Sequence, residues 1–320
     1  RAEGRGGVDA QAERLRALVA RMSSGPVAES VQAANEQHYE LPAEFLGLLL
    51  GPRRKYSGCL WPWPEGSGSL AEAEEAMLSL TCERAGVRDG MRVLDLGCGW
   101  GSLSLWLAER YPACTVVGVS NSASQREWIL GEAARRGLGN VSVVTADVNT
   151  YAPPSEGGFD RVMSIEMFEH MRNWRELLRR VSTWLDPDGG RAFVHVFSHR
   201  TLPYLFTGTW ASARFFTAGL MPSHDLMLHF QDDLVVRDQW AVPGTHYART
   251  LRAWRERLDG SLGDAVEVLR RSGRWSEREA RRLVASWRLF LLSTEVIWGY
   301  GGGDRWLVSH YLLEPRSAHA

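Results

Sequence analysis

The chain has 320 residues, 44% apolar and 23% charged, which is the balance of a globular fold with ample core. Its net charge of −1 gives no general affinity for nucleic acid. No apolar run is long enough for stable membrane insertion, and no signal peptide is visible. Cys59, Cys82, Cys98 and Cys114 form no C-x-x-C pair. Reduced thiols in a cytoplasmic protein, with no metal site, are therefore expected.

In chain order, residues 1–20 are charged and Ala-rich, and suit a helix or a frayed arm. Residues 30–88 look mostly helical, broken by the loop Pro62 to Gly68. From about 89 to 198, strands alternate with helices. The spacing predicts strands at Arg92–Leu96, Thr115–Val119, Val141–Ala146, Phe159–Ile165 and Arg191–Val196. Helices are predicted near 102–110, 122–136 and 173–185. Such alternation reads as βαβ units on a parallel sheet. Residues 199–290 look helical and aromatic, without alternating strands. Ser276-Glu277-Arg278-Glu279 is a capping-box start for the last long helix. Gly301-Gly302-Gly303 turns the chain into a final strand, Trp306–Leu313. Four stretches follow: an N-terminal helical segment (1–88), an α/β core (89–198), a helical insertion (199–290) and a closing helix end and strand (291–320).

The most informative run is Arg92-Val93-Leu94-Asp95-Leu96-Gly97-Cys98-Gly99-Trp100-Gly101. An apolar strand meets three alternating glycines and then a helix. Glycine lets backbone approach a ligand closely, and a helix start offers unpaired N–H groups. The D-x-G-x-G-x-G spacing resembles motif I of the class I methyltransferases, which bind S-adenosylmethionine; a plain strand-to-helix turn is the alternative. In an open parallel sheet, ligands lie beyond the carboxyl ends of the strands. That rule selects Gly97 and Gly99, then Ser120, Asn121 and Gln125 after the second strand. The usual acidic ribose ligand is absent there, so Ser120 and Gln125 are its candidates. Asp147, after the third strand, either accepts from an adenine amine or serves as a helix-cap or loop residue.

After the fourth strand comes Ser164-Ile165-Glu166-Met167-Phe168-Glu169-His170. Ile165 is placed with the cofactor-side residues, and Asp95 and Glu166 offer anions near a sulfonium. An amine that accepts a methyl group must first lose its proton, so Glu166, Glu169 and His170 are the catalytic candidates. Capping of the helix near Asn173 is the structural alternative for the two carboxylates. The insertion contributes Tyr204, Trp210, Phe215, Phe216, Phe230, Trp240 and Tyr247, and aromatic walls suit a flat or cationic amine. Packing of the lid is the alternative for each ring.

Further motifs are Asn35-Glu36-Gln37-His38-Tyr39-Glu40-Leu41-Pro42, Lys55-Tyr56-Ser57, Ser164 to Asn173, Met221-Pro222-Ser223-His224-Asp225, Phe230-Gln231-Asp232-Asp233 and Gly244-Thr245-His246-Tyr247-Ala248-Arg249-Thr250. From Asn35 to Leu313 the chain resembles the coclaurine N-methyltransferase group of the cyclopropane-fatty-acid synthase family. The resemblance implies a Rossmann-like sheet with N-terminal helices and a helical lid inserted before the last strand. It implies S-adenosylmethionine as cofactor, closed over by Tyr56 and Ser57. It implies that Glu166, Glu169 and His170 bind the amine and assist its deprotonation; His195, Phe216 and Tyr247 are the substrate-binding candidates. Cyclopropane synthases hold bicarbonate as base through a Cys, a Glu, a His and a Tyr. Glu169, His195 and Tyr247 match three of those positions, but Gly58 stands where the Cys would be. A small-molecule amine N-methyltransferase is thus expected, able to form a homodimer. The alternatives are alkylation of an unsaturated acyl phospholipid, and a non-catalytic S-adenosylmethionine-binding protein.

Overall fold

The computed structural model describes residues 4–29, 41–154, 158–208, 210–215 and 219–316. Its strands are β1 (Arg92–Leu96), β2 (Thr115–Ser120), β3 (Val141–Thr145), β4 (Arg161–Ile165), β5 (Arg191–His199), β6 (Tyr204–Leu205), β7 (Leu220–Met221), β8 (Leu234–Pro243) and β9 (Trp306–Pro315). Seven of them form one sheet in the order β3-β2-β1-β4-β5-β9-β8, and β6 and β7 make a separate ribbon. β1 to β5 run parallel, whereas β9 lies antiparallel between β5 and β8. Val93 to Leu96 of β1 are buried, as a central parallel strand covered on both faces requires. The molecule is a Rossmann-like α/β fold.

The helices are α1 (Gly7–Arg21), α2 (Ala43–Leu49), α3 (Leu70–Ala85), α4 (Ser102–Arg110), α5 (Ala123–Arg136), α6 (Trp174–Trp184), α7 (Trp210–Phe215), α8 (Gly244–Asp259), α9 (Leu262–Arg271) and α10 (Glu277–Gly299). The capping box of α10 forms as its sequence suggests. Ser276 Oγ accepts from Glu279 N at 3.4 Å, and Glu279 Oε2 accepts from Ser276 N at 2.9 Å. Such a cap stabilises a helix by about 1 kcal/mol. Among the described residues, no helix is long and apolar enough to cross a membrane.

Two expectations change. The insertion is not helical throughout, because β8 lies inside it and extends the main sheet. Its sequence Leu-Val-Val-Arg-Asp-Gln-Trp-Ala-Val-Pro hides the strand. Edge position leaves much of it half-exposed, and a bulge between Val236 and Asp238 breaks the two-residue period. Likewise, residues 50–69 form no helix or strand, although the stretch around them reads as mostly helical. They are held instead by contacts from elsewhere in the chain.

One apolar core joins α2, α3 and the 59–61 segment to α8, α9 and α10, with Phe45, Trp254 and Trp287 buried at its centre. Another lies under β4, β5 and α6, around Trp174, Phe168 and Phe230. The carboxyl ends of β1, β2, β4 and β5 open between the lid helices and the sheet.

Candidate functional site

Two adjoining cavities occupy those strand ends and share Gly97, Gly99, Gln125, Glu166 and His170. The larger encloses about 1030 Å³, its open mouth included.

The turn after β1 takes three positive φ angles, 83° at Gly97, 53° at Gly99 and 77° at Gly101. Each glycine is needed for a different reason. A Cβ on Gly97 would strike Met167, with its Sδ at 2.8 Å, and one on Gly101 would strike Ile129 at 2.6 Å. A Cβ on Gly99 would meet nothing within 4 Å and would project into open space at the cavity wall. Gly97 N and Cys98 N both donate to Val119 O, which ties the turn to β2. Asp95 is buried beneath it and accepts from Ser104 Oγ at 2.6 Å; burial raises its carboxyl to about 6.

Ser120 Oγ donates to Gln125 Oε1 at 2.6 Å, and the buried Gln125 Nε2 has no partner among the described residues. Trp100 Nε1 and Ser102 Oγ are likewise buried and unpartnered, and all three residues line the larger cavity. Unpaired buried donors are costly unless a ligand meets them. Together with the space beside Gly99, they fit a polar cofactor laid along the turn. Asn121 lines the second cavity. Asp147 lines neither; its Oδ1 accepts from Asn149 N at 2.8 Å in a local turn.

Tyr56, Ser57 and Ile165 also line the larger cavity. Arg54 and Lys55 line it too, and Glu74 of α3 anchors this stretch, accepting from Arg53 N at 2.8 Å and Lys55 N at 3.3 Å. Burial raises the Glu74 carboxyl to about 7. Lys55 is itself buried and donates to Ser57 Oγ and to Gly58 O. Burial lowers its ammonium below the ordinary lysine value.

The two carboxylates after β4 have opposite surroundings. Glu166 sits in the left-handed region, φ 48°, which a non-glycine residue rarely adopts. Its Oε1 accepts from Gly58 N at 2.9 Å and lies 3.2 Å from His195 Nε2; its Oε2 accepts from Tyr247 OH at 2.6 Å. Burial raises its carboxyl, and Lys55 and these donors pull it back. Glu169, in the 3₁₀ turn Phe168–His170, is buried, and neither of its carboxyl oxygens has a partner among the described residues. Burial, reinforced by the charge of Glu166, pushes it well above the usual carboxylate range. His170 lies beside it and lines both cavities.

His195, expected as an acceptor-side group, lies behind Glu166 and lines neither cavity. Of the six described rings among the seven expected to form an aromatic wall, Tyr247 alone lines the larger cavity. Phe216 lies outside the described residues. Phe230 packs on Trp174, Trp240 lies under Arg84, and Phe215 stacks on Phe290 from behind. The wall is completed by Tyr56, Phe197, Trp254 and Phe290, the last three of which carry no sequence signal beyond aromaticity. Among the described residues, no three His, Cys, Asp or Glu side chains gather as a metal site.

Residues 28–293 match the family described as mycolic acid cyclopropane synthetase. The chain belongs to this family. Within it, the chain is 38% identical to the (S)-coclaurine N-methyltransferase of Thalictrum flavum subsp. glaucum, over 91% of this chain and 81% of that one. Identity to the (S)-coclaurine N-methyltransferase of Papaver somniferum is 35%, over 96% and 87% of the two chains. The fold superposes on a coclaurine N-methyltransferase crystal structure bound to N-methylheliamine and S-adenosylhomocysteine. That match has a TM-score of 0.91 at 38% identity, covering 97% of this chain and 90% of that one. This family member is an S-adenosylmethionine-dependent methyltransferase.

Proposed function

We propose that the protein transfers the methyl group to the nitrogen of a small, cyclic or aromatic amine. The observation that carries this reading is the Glu169 carboxyl, buried on the cavity wall with neither oxygen partnered among the described residues. Burial leaves this carboxyl holding its proton until a cation lies beside it; a bound ammonium favours the ionised form and gives its oxygens an N–H donor.

S-adenosylmethionine, when bound, supplies a methyl carbon on a sulfonium that leaves as a neutral thioether. The chain's residues prepare the nitrogen that attacks it. Glu169 accepts the N–H proton of the ammonium, assisted by His170, and so frees the nitrogen lone pair. Its raised affinity for protons, caused by burial, suits it to this task. Tyr56, Phe197, Tyr247, Trp254 and Phe290 present an aromatic wall that holds a flat cation and excludes water. In this reading the insertion contributes the acceptor pocket through α8 and α10.

Glu166 supports amine rather than olefin chemistry. Cyclopropane synthases, by the resemblance above, hold bicarbonate at the positions of Gly58, Glu169, His195 and Tyr247. Here the Glu166 carboxylate bonds to Gly58, His195 and Tyr247 itself. A side-chain anion thus fills the place of a soluble one.

Glu169→Gln should lower turnover about 100-fold, as loss of an acid–base group does, with little change in melting temperature. The assay offers tetrahydroisoquinoline and unsaturated phospholipid vesicles in carbonate-free buffer, read by mass spectrometry. Methylated amine without carbonate is expected. Activity confined to lipid and restored by bicarbonate would overturn the proposal.

A further inference from the structure

His195 and His310 face each other across the antiparallel β5–β9 pair, with ring centroids 4.7 Å apart. Both are fully buried. His310 Nε2 lies 3.0 Å from His195 Nδ1, and His310 Nδ1 lies 2.8 Å from Arg84 Nη1. On the other side, His195 Nε2 is 3.2 Å from Glu166 Oε1. The four side chains therefore form one continuous line from α3 to the cavity wall. Neither Arg84 nor His310 lines that cavity.

The direction of every bond in this line follows from its first member. A guanidinium has donors only and keeps its proton. His310 Nδ1 must therefore accept, and an N–H there would set donor against donor. Neutral His310 then carries its proton on Nε2 and donates to His195 Nδ1. The same logic repeats: His195 carries its proton on Nε2 and donates to Glu166. Burial pushes both imidazoles well below the ordinary histidine value, in keeping with neutral rings. Arg84 is fixed in turn by lying over the Trp240 ring, 5.0 Å from its centroid, and Trp240 pairs with His310 in the β8–β9 register.

We infer that Arg84 and His310 are positioning residues that set the tautomer of His195 and thereby orient the Glu166 carboxylate. The inference rests on the reading of Glu166 as part of the methyl-transfer site. It adds a device remote from the cavity. Were either ring to flip tautomer, His195 would present a lone pair to Glu166 Oε1. That repulsion would turn the carboxylate away from Gly58 and Tyr247.

Two measurements test this. Imidazole nitrogen NMR shifts of the wild-type protein should report both His195 and His310 as neutral Nε2–H tautomers. A charged ring, or an Nδ1–H tautomer at either position, overturns the inference whatever the enzyme methylates. Kinetics on tetrahydroisoquinoline then compare three variants. His310→Phe keeps the ring and deletes the bonds; His310→Gln keeps one acceptor and one donor; Arg84→Met deletes the first donor. His310→Phe and Arg84→Met should lower kcat about tenfold or more, the scale of outer-shell orientation effects. Cofactor affinity should stay unchanged, and His310→Gln should recover most of the rate. A near-normal rate in the Phe variant with loss in the Gln variant would mean that ring packing alone matters, and unchanged kcat in all three would mean that the line does not serve the site; either result overturns the inference. Absence of amine methylation in the wild type, with the NMR tautomers as expected, would instead strike the acceptor assignment.

Discussion

At its glycine-turn end the cavity is shaped by backbone within five consecutive residues, Gly97 to Gly101. At its acceptor end it is shaped by side chains gathered from Tyr56, Glu166, Glu169, Phe197, Tyr247, Trp254 and Phe290. The first end depends on conformations that only glycine adopts without strain. The second depends on long-range packing and on buried groups that restrain one another. Damage at the first end should therefore be local and steric, whereas damage at the second should spread through hydrogen bonds.

The largest effect separates two glycines of the same turn. Gly99→Val places a side chain where the protein has none, so cofactor affinity should fall about 100-fold or more, with about 1 kcal/mol of stability lost to the side chain at φ 53°. Gly101→Val drives into Ile129 and should instead lower stability by about 2 kcal/mol or more. Calorimetric titration and thermal melts distinguish them; matching behaviour of the two variants would erase the local character claimed for this end.

A smaller effect is expected at the acceptor end. Tyr247→Phe removes the donor to Glu166 Oε2 and leaves the ring in place. Turnover should fall about tenfold, with about 1 kcal/mol of stability lost. Cofactor titration should be unchanged, and a weakened titration would show that the two ends are coupled.

An effect seen only as a pH dependence concerns the anchor beneath residues 53–55. The folded carboxyl of Glu74 holds its proton up to about pH 7, against an ordinary value of 4.5. The stabilising contribution of that proton is full below 4.5 and lost as pH rises through 7. Relative to Glu74→Gln, the wild type should therefore lose about 2 kcal/mol between pH 5 and pH 8. Parallel pH profiles of unfolding free energy for the two proteins would show that Glu74 titrates normally.

The backbone-built end is legible in sequence because spacing alone encodes it. Strand, glycines and helix are contiguous, and α4 spans Ser102–Arg110 as the pattern suggests. Ser120 and Gln125 are similarly local, five residues apart across one strand–helix turn. Glu166, Glu169 and His170 could be selected by their position after β4, but their contrasting environments could not. Those depend on Gly58, His195 and Tyr247, which only the fold brings together. Arg84 and His310 carry no local signal, since their partners lie on other elements. β8 escaped because an edge strand with a bulge shows neither continuous burial nor alternation.

The left-handed backbone at Glu166 has an evolutionary consequence. Glycine is the residue such a backbone accepts most readily, and glutamate and glycine codons differ by one base. A single Glu166→Gly step would relax the main chain and delete the side-chain anion together. What remains are three groups, Gly58 N–H, His195 and Tyr247, without the carboxylate they now meet. Position 166, together with Gly58, is then where a site that carries its own anion parts from one that borrows it from the medium.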